Sequence, residues 1–255
     1  MNTSKRNNQY YNHLNVSKKI KVSKSYGIAC CKKNKLTNEY EILLIKKKAS
    51  YAYITFCKGI YVNNYDIIQL FNKMTLNEKL IILSYDFKLI WYHCFLSYDE
   101  TDKRLIKSKK KFDKYIKNNS KYIYNIISES KNVELIWEIP KGHVNKNEEN
   151  INAAIREFYE ETHINKSKYK ILYDVKPLIY SFTDENIHYI YYYYIAVMID
   201  HKFIPKVSYK SSHMLFETSD IKFLPINSLF SINREYKFIN LVKKIIKFAK
   251  PYILK

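Results

Sequence analysis

Between Trp137 and Asn165 the chain reads WEIPKGHVNKNEENINAAIREFYEETHIN, and this stretch sets a glycine, an arginine and several glutamates at fixed offsets. Gly142 leads to Glu148, then to Arg156, then at once to Glu157, Glu160 and Glu161, with Ile164 closing the run. A helix from about Asn150 to Thr162 would align Ile151, Ala154, Ile155 and Phe158 as one buried stripe. On its other side Glu157 and Glu161 are i,i+4 neighbours with Glu160 between them, so three carboxylates leave about one turn of helix. Like charges that close repel. A divalent cation among them relieves the repulsion, because hard cations take carboxylate oxygen and share it with substrate phosphates. The chemistry expected is therefore a catalytic site in which a divalent cation held by these carboxylates also binds substrate phosphates. The plainer alternative is a solvated acidic helix face. Two features weigh against it: acidic residues are the scarce charge, 24 against 44 Lys plus Arg, and one of only three glycines stands at the head of the pattern.

The elements that must carry this helix follow from patterning. Residues 1–24 are polar and basic and read as a flexible tail without the apolar core of a signal peptide. Ser25 to Cys31 and Tyr40 to Lys46 read as a hairpin around the polar turn KKNKLTNE, within a first catalytic segment at 25–49. From 50 to 129 the text turns helical and reads as an inserted domain. Thr75-Leu76-Asn77-Glu78 is a capping box ahead of an apolar run, and a second helix starts near Asp86. Thr101 to Asn118 holds Lys103, Arg104, Lys107, Lys109, Lys110, Lys111, Lys114 and Lys117 against only Asp102 and Asp113. Such a face tracks phosphates, with Phe112 and Tyr115 offering rings for bases to stack on, or it serves only solubility. The second catalytic segment, 130–255, continues with Lys170–Phe182 and Ile187–Ile199 as two long strands around the turn at 183–186. It closes with an amphipathic helix, Tyr236–Ala249, that spaces Ile239, Val242, Ile246 and Ala249 and stops before Pro251. Trp91 and Trp137 are expected in the core rather than as stacking platforms.

Composition bounds the rest. A chain of 255 residues with 47% hydrophobic content suits one large domain or two small ones. The formal net charge of +20 favours a polyanionic partner, although enrichment in Lys, Asn, Ile and Tyr also fits a biased genome. Cys30, Cys31, Cys57 and Cys94 form no metal-ligand spacing and read as reduced thiols in a cytosol-like compartment. No run is long enough for a membrane helix. The sequence is compatible with a homodimer without specifying one.

The spaced residues resemble the Nudix box, G-x5-E-x7-R-E-U-x-E-E-x-G-U, in which U is bulky and apolar; Phe158 and Ile164 fill the U positions and His163 replaces the second glycine. FNKMTLNEKLIILSYDFKLIWYHCF at 71–95 and LIWEIPKGH at 135–143 are similar to the messenger-RNA decapping branch of that family in large DNA viruses, a likeness running from about Ser25 to the last helix. The resemblance implies an α/β/α sandwich around a mixed sheet, interrupted by a helical domain. It implies an enzyme of the infected host cytoplasm that cleaves the cap of RNA to m7GDP and 5′-monophosphate RNA, and that also accepts inositol pyrophosphates. By position, Glu157, Glu160, Glu161 and Arg156 would be catalytic. Gly142, Glu157, Glu160 and Glu161 would form the site for Mg2+ or Mn2+, with Glu217 as a further acidic group from a later loop. Arg156 would pair with Glu148 or Glu160. Lys24, Lys110, Lys111, Lys114, Lys141 and, more loosely, Arg234 would contact RNA. His163 would adopt positive φ less readily than glycine, at a small local cost. Three functions remain: cap cleavage, pyrophosphohydrolysis of inositol pyrophosphates or nucleotides, and RNA binding by a protein with an inactive box.

Overall fold

The computed structural model describes residues 20–184, 186–208, 212–232 and 235–253. Its first element, strand β1 (Lys21–Lys33), turns through Asn34, whose side chain accepts from the Leu36 and Thr37 amides, into antiparallel β2 (Tyr40–Lys47). β1 starts four residues before the expected hairpin, so Lys24 is a strand residue and not part of a tail.

Six helices follow: α1 (Tyr51–Cys57), α2 (Asn64–Phe71), α3 (Leu76–Ser84), α4 (Phe87–Phe95), α5 (Lys103–Tyr115) and α6 (Ser120–Glu129). Ser50, Asn63, Thr75, Asp86 and Asp102 cap the first five, each side chain accepting an otherwise unpaired amide of the first turn. The Thr75–Glu78 capping box is formed, and Glu78 also accepts from the Ser50 amide and hydroxyl, which ties the start of α1 to α3. These helices share a hydrophobic cluster made of their own residues, including Tyr53, Phe56, Phe71, Trp91 and Phe112. Both tryptophans lie in the core, Trp91 4% and Trp137 9% exposed.

The chain then forms β3 (Trp137–Glu138), β4 (Lys141–Gly142), helix α7 (Asn150–Thr162), β5 (Tyr169–Ile171), β6 (Leu178–Asp184), β7 (Ile187–Met198), α8 (Ser212–Glu217), β8 (Thr218–Pro225), α9 (Ile226–Ile232) and α10 (Tyr236–Ile253). The sheet runs β3-β2-β1-β7-β5, with β4 paired to β1, β6 to β7 and β8 to β2. β1 and β7 are parallel over Lys21–Cys31 and the other pairs antiparallel, so the sheet is mixed. Side chains alternate across it, as strand geometry requires. Ala29, Cys31, Ile42, Leu44, Ile195 and Val197 face α10, while Ile28, Cys30, Leu43, Ile45, Ala196 and Met198 face α7. The result is the expected α/β/α sandwich.

Two boundaries differ from expectation. Residues 170–182 are not one strand: β5 and β6 pair separately along β7, Lys170 with Val197 and Leu178 with Tyr193, and the chain loops between them through Pro177, which has no amide to extend a ladder. α10 continues past Pro251 to Ile253. Proline in a last turn forfeits few helix bonds, and burial of Ile253 with the hydrogen bond from the Tyr252 hydroxyl to Asp174 offsets that loss. All four cysteines are free thiols and buried. Among the described residues no helix is long and apolar enough to cross a membrane.

Candidate active site

Helix α7 buries Ala153, Ala154 and Phe158 against the sheet, with Ile151 and Ile155 half-buried beside them. The buried face is broader than the apolar stripe: Glu161 and Thr162 at its C-terminal end are 2% exposed. The helix stops at His163, which takes the left-handed conformation (φ 55°, ψ 23°) while its amide donates to the Tyr159 carbonyl at 2.7 Å. A non-glycine residue there costs on the order of 1–2 kcal/mol, which is the local cost expected of this position.

The chain brings Glu161 its partners from three other segments. Lys47, the last residue of β2, sets its Nζ 2.7 Å from Glu161 Oε1, 3.3 Å from Glu138 Oε1 and 3.2 Å from Glu217 Oε2. The Lys141 amide donates to Glu161 Oε2 at 2.8 Å, and the Lys141 ammonium pairs with Glu138 at 2.8 Å and lies 4.7 Å from the Tyr191 ring centre. Thr218 donates its hydroxyl to the Glu161 carbonyl at 3.0 Å. Glu217 ends α8, its carbonyl accepting the Lys48 amide at 2.9 Å.

Arg156 organises the outer half. Its guanidinium donates to both oxygens of Glu148 at 2.9 Å, to Glu157 at 2.7 Å, to Glu160 at 3.1 Å and to the His143 carbonyl at 2.8 Å. One planar fork thereby fixes three carboxylates and the loop that leads into α7. Glu157 lies against β4 so closely that a Cβ on Gly142 would stand 2.0 Å from its carboxyl carbon. The glycine is required for that approach. Gly27 serves the same purpose on the neighbouring strand β1, where a Cβ would stand 2.1 Å from the Pro140 carbonyl oxygen.

Burial pushes the Glu161 carboxyl up to about 8, against the opposing pull of Lys47. Burial also raises Glu157. Glu217 is pushed up by burial too, but the Lys47 ammonium and hydrogen bonding outweigh this and hold it below its usual range. Burial disfavours the charge of Lys47, yet Glu161 and Glu138 overcome it and keep the ammonium protonated. The site thus pairs one carboxyl of high proton affinity with a permanent cation.

Of the residues singled out in the sequence, Glu157, Glu160, Glu161, Arg156, Gly142 and Glu217 come together here. Lys47 and Glu138 were missed. Lys47 sits in a run of three lysines with nothing to mark the middle one, and Glu138 is one acid on a two-residue strand. The lysines divide. Lys24, Lys110 and Lys114 are exposed. Lys111 is half-buried and donates to the Gly59 and Tyr61 carbonyls at 2.8 and 2.6 Å. Lys141 is buried inside the site, its side chain 4% exposed. Phe112 is a core residue, and Tyr115, whose hydroxyl donates to the Val62 carbonyl, is half-buried with its ring edge-on to Tyr61 and the Lys114 ammonium 4.9 Å from its centre. Arg234 lies outside the described residues.

The NUDIX domain family matches residues 126–242. The chain is also 34% identical over 186 residues, 70% of its own length and 74% of the relative's, to the mRNA-decapping protein g5R of African swine fever virus. This chain belongs to the Nudix hydrolase family. The g5R protein of a second isolate of that virus is 32% identical over 70% of this chain and 73% of its own. Among solved structures, a C. elegans Ap4A hydrolase in a binary complex aligns over 89% of this chain and 98% of its own at 16% identity, with a TM-score of 0.47.

Nudix hydrolases generally need divalent metal ions, and the donor set here fits one. Six carboxylates, Glu138, Glu148, Glu157, Glu160, Glu161 and Glu217, face three cationic side chains, Lys47, Lys141 and Arg156. Among the described residues no three His, Cys, Asp or Glu side chains stand as a ready coordination shell. Instead the Lys47 ammonium stands between Glu138, Glu161 and Glu217, a cation held by hard oxygen donors where the charge calls for one.

Proposed function

We propose that this chain is an mRNA-decapping enzyme that hydrolyses the pyrophosphate bridge of the cap, releasing m7GDP and 5′-monophosphate RNA. The observation that carries the reading is the buried Glu161, held between the Lys47 ammonium and the Lys141 amide and beside Glu217, in a chain 34% identical to a protein named for decapping. Glu157, Glu160, Glu161 and Glu217, with the backbone at Gly142, would hold Mg2+ or Mn2+, which supplies Lewis-acid activation of water and neutralises phosphate charge. Glu161, held ionised beside the cation, would take the proton of the attacking water. Arg156 keeps Glu148, Glu157 and Glu160 in register, and Lys47 keeps Glu161 and Glu217 facing one another. Lys110 and Lys114 on α5, with Lys24 on β1, offer exposed charge to RNA phosphates beyond the cap, and this makes the helices at 50–129 the RNA-binding unit.

The test is release of labelled m7GDP from cap-labelled RNA with Mg2+ or Mn2+, comparing wild type with Glu161→Gln and adding excess uncapped RNA. Wild-type release that uncapped RNA suppresses, falling roughly a hundredfold or more in the variant, is expected. No release, with inositol pyrophosphates still cleaved, would replace this reading by a small-molecule pyrophosphohydrolase.

A further inference from the structure

Two stretches of chain, 48–50 and 130–136, join the helices of 50–129 to the sheet, and both begin at the carboxylate cluster. Lys47 directly precedes the first, Glu138 lies just beyond the second, and their side chains stand 3.3 Å apart. The Lys47 amide donates to the Ile136 carbonyl at 3.2 Å, so the two stretches leave the sheet side by side. How the helices sit on these stretches therefore sets how anything held on α5 faces the cluster.

Two adjacent residues in the first turn of α3 grip both. Glu78, 3% exposed, accepts from the Ser50 amide at 2.6 Å and from the Ser50 hydroxyl at 2.8 Å, on the entering stretch. Lys79, 0% exposed, donates to Ser130 Oγ at 2.8 Å, to the Lys131 carbonyl at 2.5 Å and to Asn132 Oδ1 at 3.0 Å, on the leaving stretch. Its ammonium has three donors, and all are spent on consecutive residues. The turn ahead of α3 adds to the same hold: the Lys131 amide donates to Asn72 Oδ1 at 3.0 Å and the Val133 amide to the Met74 carbonyl at 3.2 Å.

Local structure does not ask for this much. The capping box of α3 needs Glu78 only for the Thr75 amide, which it accepts at 2.8 Å. Burying an ammonium is costly, and an apolar side chain would serve at Lys79 if packing were its whole task. Directed bonds to a buried charge instead enforce one geometry, because any shift of the leaving stretch strands that charge. The ion pair of Lys73 with Asp184 also links helices to sheet, at 3.3 Å, but it is exposed and worth little.

We propose that Glu78 and Lys79 are positioning residues that lock the helices of 50–129 at one angle to the sheet, so that RNA held on α5 brings its cap to the carboxylates. The proposal rests on the decapping reading and deepens it by naming what aims the substrate.

The experiment uses the full chain, with nitroxide labels on Tyr124→Cys of α6 and Tyr173→Cys beyond β5, two exposed positions, while the four native thiols are buried. Pulsed electron resonance reads the distance between the labels, and unlabelled protein supplies kcat and KM on capped RNA and Kd for uncapped RNA. Wild type is expected to give one narrow distance. Lys79→Met broadens it and lowers kcat about tenfold, with KM and Kd within about twofold, since misplacing reacting groups by about 1 Å costs up to about a hundredfold in rate. Glu78→Gln keeps the capping box, which glutamine also closes, and loosens only the hold on Ser50, with the same split between kcat and KM. Asn132→Ala removes one acceptor at an exposed side chain, so the fold is spared; it broadens the distance less and lowers kcat about threefold, the scale of one hydrogen bond. A narrow, unchanged distance in folded Lys79→Met and Asn132→Ala, or unchanged kcat despite a broadened one, overturns the proposal. So does loss of uncapped-RNA binding in step with kcat, which would make Lys79 a residue of the helical fold alone. If no form cleaves capped RNA while Lys79→Met still broadens the wild-type distance, the decapping reading fails and the lock stands.

Discussion

Substituting Gly142 by alanine puts the arrangement of the carboxylates to a direct test. The added methyl would stand 2.0 Å from the Glu157 carboxyl carbon and 2.1 and 2.2 Å from its two oxygens. Non-bonded atoms settle near 3.5 Å apart, so the carboxylate must retreat by about 1.5 Å. Gly142 is not among the residues of positive φ, so alanine meets no backbone strain, and half-buried Glu157 is free to swing outward. Its 2.7 Å ion pair with Arg156 then breaks. Displacing a catalytic group by about 1 Å typically costs about a hundredfold in rate, or about 2.7 kcal/mol of transition-state stabilisation. The expected outcome is a fall of that order in kcat for m7GDP release, with a melting temperature within about 3 °C of wild type because less than about 1 kcal/mol of folding energy is at stake. Shortening the acid as well, in Gly142→Ala with Glu157→Asp, should recover some of the rate. Turnover by Gly142→Ala within threefold of wild type would refute the assignment of Glu157 to the reacting site.

Four further outcomes follow from the same geometry. Changing Lys110 and Lys114 to glutamine should flatten the log–log salt dependence of RNA binding by about 1.4, at roughly 0.7 for each phosphate no longer neutralised. Lys111→Gln should leave that slope alone and lower the melting temperature, since its ammonium is committed to the Gly59 and Tyr61 carbonyls; the reverse pattern would overturn the division. Lys47→Met strips the cation from Glu161 and Glu217, and breaking a buried pair costs about 3 kcal/mol, or roughly 6–12 °C in melting temperature without metal. Divalent cations should restore much of it, and a calorimetric scan showing no loss would remove Lys47 as the resident counter-ion. Finally, Glu161 rises in the folded state to about 8 from its ordinary range, so folding takes up a proton. Its contribution to stability is complete below about pH 4.3, the unfolded value, and is lost as pH climbs through 8. A divalent cation favours the ionised form, so metal binding near pH 7 should release close to one proton and above about pH 9 almost none. Titration calorimetry in two buffers of different ionisation enthalpy reads this number, and no release near pH 7 would contradict the raised affinity.

Much of this molecule is local chemistry and was legible in the chain. Helix α7 and its end at His163 follow from the spacing of Ile151, Ala154, Ile155 and Phe158, and the Thr75–Glu78 capping box and the Asp86 cap need only neighbours within one turn. Arg156 finds Glu148 and Glu160 because residues eight and four positions away meet it around that same helix and its lead-in loop. What the sequence could not state is which faces meet. The apolar stripe of α7 implied that Glu161 points outward, but the end of that helix is covered by β4 and α8, so the carboxylate is enclosed and its proton affinity rises.

The same limit applied to the lysines. In sequence Lys47, Lys110, Lys111, Lys114 and Lys141 are equivalent basic residues; in the fold Lys47 and Lys141 lie inside the carboxylate cluster, Lys111 fastens α5 to the chain after α1, and Lys110 and Lys114 face solvent. Glu217 joins Glu161 from far along the chain only because β8 pairs with β2 and carries the end of α8 to Lys47. The sequence by itself determined the helix, its charged face and the arginine that orders it, since these rest on periodicity and short-range contact. Tertiary structure alone decided which charges are buried together, because burial and the pairing that compensates it depend on sheet register between segments far apart in the chain.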